Sequence, residues 1–177
     1  VLPNERTPGG GWKNGAGAQE ENFWRRTNAV ETVRDEKKPW FYPIKNADAV
    51  SMRDISVLRG SEDEWYAWLN PRDVFKINAV CAAAVKDPRI LQNGRYQHWN
   101  VRQGMRLKIR SLLKIATKTP HDVLILTAFG CGAFGNPARD VAQLFAEEIK
   151  VNKLKRGIFA ITDDHNSCTN GLTNRQA

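Results

Sequence analysis

Residues 122–162 read DVLILTAFGCGAFGNPARDVAQLFAEEIKVNKLKRGIFAIT, and this stretch decides the fold class. Its opening, Asp122–Thr127, is a nearly continuous apolar run of the kind that a parallel strand buried on both faces requires. The segment Phe129–Asn136 (FGCGAFGN) carries three glycines, which permit tight, positive-φ backbone and close approach of a ligand. Pro137 then suits the first position of a helix, Asn136 is a candidate cap, and Val141, Leu144, Phe145 and Ile149 form an inward stripe. Gly157–Thr162 predicts the following strand. Strand, helix and strand at these lengths imply a right-handed βαβ crossover and an α/β sheet.

Upstream, the net charge of +8 is concentrated in one place. Residues 1–85 hold 12 basic and 12 acidic side chains, residues 86–118 hold 9 and 1, and residues 119–177 hold 6 and 6. Within the basic stretch Val101, Met105, Ile109, Leu112, Leu113 and Ala116 make one helical stripe, so Val101–Lys118 is predicted as a helix. Arg102, Arg106, Lys108, Arg110, Lys114 and Lys118 fill its remaining faces and form a surface expected to attract polyanions. Val74–Val85 reads as a buried strand closed by Asp87-Pro88. Residues 30–73, with Trp40, Phe41 and Tyr42 together, an acidic patch at Glu62–Glu64, and Trp65 and Trp68, match no pattern securely. At the start, Val1 and Leu2 read as the end of a strand, Pro8–Gly11 as a loop, and Ala16–Arg26 as a helix with two carboxylates in its first turn. Val1 in place of Met leaves room for upstream sequence, and the polar stretch from His165 to Ala177 reads as a mobile tail or the start of a further segment.

The 177 residues fit one domain, expected over 1–164 with the polar tail at 165–177. No apolar run is long enough to cross a bilayer, and the N-terminus lacks the layout of a secretory signal. Cys81, Cys131 and Cys168 make no disulfide framework or zinc spacing, and His98, His121 and His165 share no ligand spacing, so no metal is expected and the thiols read as reduced and intracellular.

Both glycine loops lie between a strand and a helix N-terminus, where free backbone N–H groups and the helix dipole form an anion site suited to diphosphate. Neither matches the dinucleotide fingerprint or the P-loop. Gln19, Glu20 and Glu21 follow the triple glycine Gly9–Gly11 after seven residues. Adjacent helical residues point about 100° apart, so the two acids are expected to play different parts. A carboxyl in a cleft can protonate a departing sugar oxygen and then activate water. A helix N-terminus opposes that role by favouring the ionised form, which burial or a substrate hydroxyl would have to offset.

The stretch PGGGWKNGAGAQEE, Pro8–Glu21, resembles the GGG-to-QEE signature of poly(ADP-ribose) glycohydrolases. LTAFGCGAFGNP, Leu126–Pro137, resembles the diphosphate loop of the bacterial or microbial type of that family. The resemblance implies a macrodomain-like three-layer α/β/α fold with a mixed sheet, in a chain that lacks the segment usually found before the glycine loop, with its early strands and part of the adenine pocket. It also implies hydrolysis of the ribose-ribose O-glycosidic bonds of poly(ADP-ribose), releasing ADP-ribose without metal or cofactor. Carried over residue by residue, Glu21 is the general acid/base, Glu20 holds ribose hydroxyls, Gln19 orients the pair, and Gly9, Gly10 and Gly11 line the distal ribose. Gly130, Cys131, Gly132, Ala133, Phe134 and Gly135 wrap the diphosphate, with Phe134 against the terminal ribose, and Asn136 closes the loop. Cys131 reads as a small apolar filler and Trp12 as a packing residue.

The implied partners are poly(ADP-ribose), ADP-ribosylated proteins and ADP-ribose as product, in the cytoplasm or nucleus, with no membrane. The basic helix would add electrostatic attraction for the polymer. Two neighbouring readings are a hydrolase of mono-ADP-ribose and a non-catalytic ADP-ribose reader. Direct DNA or RNA binding is disfavoured, because it is supported only by residues 86–118 and lacks an RNP-type or zinc motif.

Overall fold

The computed structural model describes residues 8–32 and 42–161, together with the backbone of 168–169 and 172–173. The chain forms two compact units, one from 1–45 and 50–82, the other from 46–49 and 83–177. The strand read at Val1 and Leu2, the pair Trp40 and Phe41, and Thr162 lie outside the described residues.

In the first unit a short 3-10 turn, Trp12–Asn14, leads to α1, Gln19–Arg26, and then to the single turn α2, Ala29–Thr32. Helix α1 begins three residues later than the pattern Ala16–Arg26 predicts, because Ala18 is still extended at φ −75° and ψ 170°. Strands β1, Val50–Val57, and β2, Phe75–Cys81, pair antiparallel, with Val50 opposite Cys81 and Val57 opposite Phe75. The register shifts between Met52 and Ile55. Asp54 there adopts φ +56°, and its N–H donates to Asn78 Oδ1 at 3.1 Å. This bulge lets Val50, Met52 and Ile55 all turn inward. They bury with Ala79, Cys81, Trp24, Ala29 and Ile44, while Trp12, Phe23 and Tyr42 pack around the edge, so Trp12 is the packing residue expected.

The second unit is built around two helices, α3, Trp99–Lys118, and α4, Ala138–Asn152. Met105, Ile109, Leu112, Leu113 and Ala116 of the predicted stripe are buried, as are Val141, Leu144 and Phe145 on α4. Strands β3, Leu124–Leu126, and β4, Gly157–Phe159, pair parallel on either side of α4, which is the expected βαβ order. The run Asp122–Thr127 is nevertheless not a strand buried on both faces: β3 is three residues long, Leu126 is buried, and Ile125 is 64% exposed. Side chains alternate along the strand, and the face carrying Ile125 and its partner Ile158 is uncovered among the described residues. In the segment 165–177, β5 (Cys168–Thr169) and β6 (Leu172–Thr173) pair antiparallel.

The fold is α/β, but the single mixed sheet expected from the resemblance appears among the described residues as separate two-stranded pairs, two antiparallel and one parallel. Three-residue strands offer few ladder bonds with which to recruit neighbours. No described helix is long and apolar enough to cross a membrane.

The arginines of α3 do not form the open polyanion surface expected of them. Arg102, Arg106 and Arg110, spaced one turn apart, face α4. Arg110 makes a bidentate pair with Glu148 at 2.9 Å on both arms, Arg106 pairs with Glu147 and with Glu148, and Arg102 lies 3.7 Å from both Asp140 and Glu147. Lys108 donates to the carbonyl of Asn46. Glu148 and Asp140 are each 1% exposed, so their charges require these partners, whereas Lys114 and Lys118 stay on the surface. Arg110→Ala leaves Glu148 with Arg106 alone and is expected to cost about 2 kcal/mol in urea unfolding. An unchanged midpoint would show that the pair contributes nothing to stability.

Candidate functional site

The triple-glycine loop and the start of α1 form one hydrogen-bonded element. Gly9 and Gly10 adopt φ +73° and +52°, a conformation that side chains rarely allow. The turn is closed by Trp12 N–H to Gly9 O at 3.1 Å and Asn14 N–H to Gly11 O at 2.8 Å. The outward-turned amides then meet the two acids. Gly9 N–H donates to Glu20 Oε1 at 2.7 Å, and Gly11 N–H donates to Glu21 Oε1 at 3.1 Å.

The two carboxylates differ as their helical offset requires. Glu20 is 2% exposed, and its charge contributes to raising Tyr42, whose hydroxyl is pushed far up chiefly by burial. Glu21 is half-buried, and its second oxygen has no partner among the described residues. Gln19 is exposed and makes no side-chain hydrogen bond to a described residue. The loop glycines Gly9 and Gly11 and the acids Glu20 and Glu21 are thus brought together, with Gly10 between the two glycines, while Gln19 stays exposed at the start of the helix.

The second glycine loop is built from its own contacts. Gly130 and Gly135 have φ +75° and +64°. A Cβ at Gly130 would lie 2.5 Å from Ala84 Cβ and 2.7 Å from Asn136 Nδ2, so only glycine fits. Asn136 is not a helix cap: Pro137 occupies that position, and no side chain caps α4. Asn136 instead closes the loop, donating from Nδ2 to Gly130 O at 2.9 Å and Val85 O at 2.7 Å, and from its N–H to Gly130 O at 3.0 Å. The N–H groups of Cys131, Gly135 and Asn136 are used within the loop, whereas those of Gly132, Ala133 and Phe134 have no acceptor among the described residues. Three successive amides without an acceptor can hold an anion. Phe134 is half-buried, and its carbonyl accepts from Asp87 N–H at 3.0 Å.

Two supporting residues carry no motif in the sequence. Tyr96 donates its hydroxyl to Asn136 Oδ1 at 2.8 Å and its N–H to Asp140 Oδ2 at 3.0 Å. Arg95 Nη1 reaches Asp140 Oδ1 at 3.1 Å. Asp140, in the first turn of α4, therefore fixes Tyr96, and Tyr96 fixes the asparagine that shapes the loop. An aspartate in that turn was visible in the sequence, but its partner lies 44 residues away.

Residues 1–56 match the family model described as microbial-type PARG, catalytic domain. That span contains the triple glycine and both glutamates but not the second loop. Among solved structures, poly(ADP-ribose) glycohydrolase from Deinococcus radiodurans in complex with ADP-ribose is 23% identical with a TM-score of 0.71, over 92% of this chain and 67% of that one. The enzyme from Thermomonospora curvata bound to the inhibitor ADP-HPD is 21% identical with a TM-score of 0.68, over 92% of this chain and 63% of that one. The fold is therefore that of the bacterial glycohydrolases, and the chain spans about two thirds of their length. No curated protein sequence matches it.

Gly9→Ala would place a Cβ 2.6 Å from Trp12 Cδ1 and 2.7 Å from Trp24 Cδ2 at a positive φ. It is expected to lower stability by about 2–3 kcal/mol in urea unfolding, and a loss below the error of the measurement would contradict the geometry.

The thiols of Cys81 and Cys131 are both pushed up by burial to about 12. Cys131 is thus neutral filler and no nucleophile at neutral pH. Iodoacetamide at pH 8 should spare both in the native protein and label both in urea, as read by peptide mass mapping; native labelling of Cys131 at the denatured rate would refute this. Because the folded values are raised above the ordinary 9.0, the stability these thiols contribute is complete below that pH and is lost as pH rises from there towards about 12.

Proposed function

We propose that this chain hydrolyses the ribose-ribose O-glycosidic bonds of poly(ADP-ribose), with Glu21 as general acid/base. The observation that carries the proposal is the state of Glu21: one oxygen is anchored by Gly11 N–H, and the other is left without a described partner on a half-buried side chain. Glu21 donates its proton to the departing ribose oxygen as the C1–O bond breaks. Positive charge develops on the ribosyl carbon and ring oxygen. The carboxylate then takes a proton from the attacking water, which forms the new C1–OH bond and returns the enzyme to its starting state.

In this proposal Glu20 is a positioning residue, holding the loop through Gly9 N–H from its buried site. The amides of Gly132, Ala133 and Phe134 suit the diphosphate oxygens of an ADP-ribosyl group. The match of residues 1–56 to the microbial-type PARG catalytic domain supports the same reading. The proposal extends to a catalytic domain over 1–164, to ADP-ribosylated proteins as partners and to an intracellular setting.

Glu21→Gln keeps an acceptor for Gly11 N–H but cannot shuttle a proton. It should reduce release of ADP-ribose from purified polymer by about 100- to 10,000-fold while changing ADP-ribose affinity less than about threefold by calorimetry. Full activity in that variant would defeat the assignment, and binding without turnover in the unsubstituted chain would mark a reader instead.

A further inference from the structure

Within the first unit, a groove of about 280 Å³ is lined by residues of α1 and of the segment that follows β1. Trp12, Arg25, Leu58, Arg59, Tyr66 and Trp68 are among the residues of its wall. Its volume lies just below the roughly 300–1,000 Å³ typical of ligand sites, which suits part of one nucleotide and not two.

Its chemistry is specific. The Arg59 guanidinium lies 4.1 Å from the centroid of the Trp68 ring, and Trp68 is 68% exposed. Arg59 makes no ion pair with a described residue. The Arg25 guanidinium stands 5.8 Å from the Tyr66 ring centroid, held by its Nε on the carbonyl of Trp12 at 3.0 Å and by its Nη2 on the carbonyl of Ala16, which leaves Nη1 to face a ligand. The acidic residue in the lining is Glu31, an exposed side chain beside Asn28. An exposed tryptophan and a half-buried tyrosine, each with a guanidinium group beside it, match a purine with its phosphate, since stacking on aromatic faces and charge-assisted bonds from arginine are what recognise such a group.

The wall is also built at a cost. Trp65 and Tyr66 both adopt φ +54°, in the left-handed region that such bulky side chains avoid. The turn is locked by Glu64, whose carboxylate accepts the Ser61 N–H at 2.7 Å and hydroxyl at 3.0 Å, and by Asn22 Nδ2, which donates to the Tyr66 hydroxyl at 3.3 Å. Tyr66 is thereby held against α1.

We propose that this groove is the subsite for the leaving side of the substrate, binding the adenylate from which the scissile ribosyl group departs. The inference rests on the function proposed above. In poly(ADP-ribose) the leaving oxygen is the 2′-oxygen of an adenosine ribose, so an adenine and a phosphate lie next to the bond that breaks. Arg25 follows Glu21 by four residues on the same helix, on the same face and about 6 Å further along the axis. Arg25 lines the groove, so the groove begins one helical turn from the acid, and in this proposal the adenosine that takes the proton of Glu21 extends its base and phosphate into it.

The test uses two substrates and two surface variants, Trp68→Ala and Arg59→Gln. Against poly(ADP-ribose), each should raise KM about tenfold. Against an aryl glycoside of ADP-ribose, whose leaving group has no adenylate, each should act like the unsubstituted chain within about twofold. Equal effects on both substrates, or none on the polymer, would overturn the subsite. Titration with AMP provides an independent measurement: it should quench tryptophan fluorescence in the unsubstituted chain and not in Trp68→Ala, and absence of a quench would also overturn it. If the chain cleaves neither substrate while AMP still quenches through Trp68, the hydrolase reading fails and the adenylate site stands.

Discussion

Two hydrogen bonds, from Gly9 N–H to Glu20 and from Gly11 N–H to Glu21, are the constraint on which the candidate site depends. Backbone amides can turn towards carboxylates one residue apart on a helix only if the loop takes a path that glycine alone permits, and Gly9 and Gly10 take it. The same bonds separate the two acids. Glu20 is buried on the helix face that also carries Trp24, one turn on, and Glu21 has one oxygen without a described partner. Sequence neighbours acquire unlike roles because a helix rotates them apart and the loop satisfies each differently.

The second unit achieves rigidity with buried charge. Asp140 and Glu148 lie on one face of α4 and are met by arginines repeating every four residues along α3. Asp140 and Glu148 are buried and each is met by two arginines, so the set acts as a clasp between the helices. Asp140 extends that clasp to the glycine loop through Tyr96 and Asn136, which ties the shape of the turn to the packing of the helices.

Much of this was legible in the sequence, for physical reasons that vary by element. The stripe from Met105 to Ala116 is a helix because its apolar spacing admits no other regular structure, and the order of β3, α4 and β4 follows from alternating short apolar runs and glycine. The placement of Glu20 and Glu21 at a helix start was legible from the residues themselves. Strand β1 was not, because the bulge at Asp54 inserts an extra residue and breaks the alternation of Val50–Val57 partway along. The fate of the basic helix was hidden too. Composition records the nine basic residues of 86–118 but not that three of them face acids on another helix. Tyr96 is silent for the same reason, since a polar contact spanning 40 residues leaves no local pattern.

The most direct measurement is the size of the products formed when the chain is incubated with purified poly(ADP-ribose). A hydrolase that places Glu21 at a ribosyl oxygen predicts free ADP-ribose accumulating as the polymer shortens. Polymer that is bound by the chain yet recovered at its full length would contradict the account.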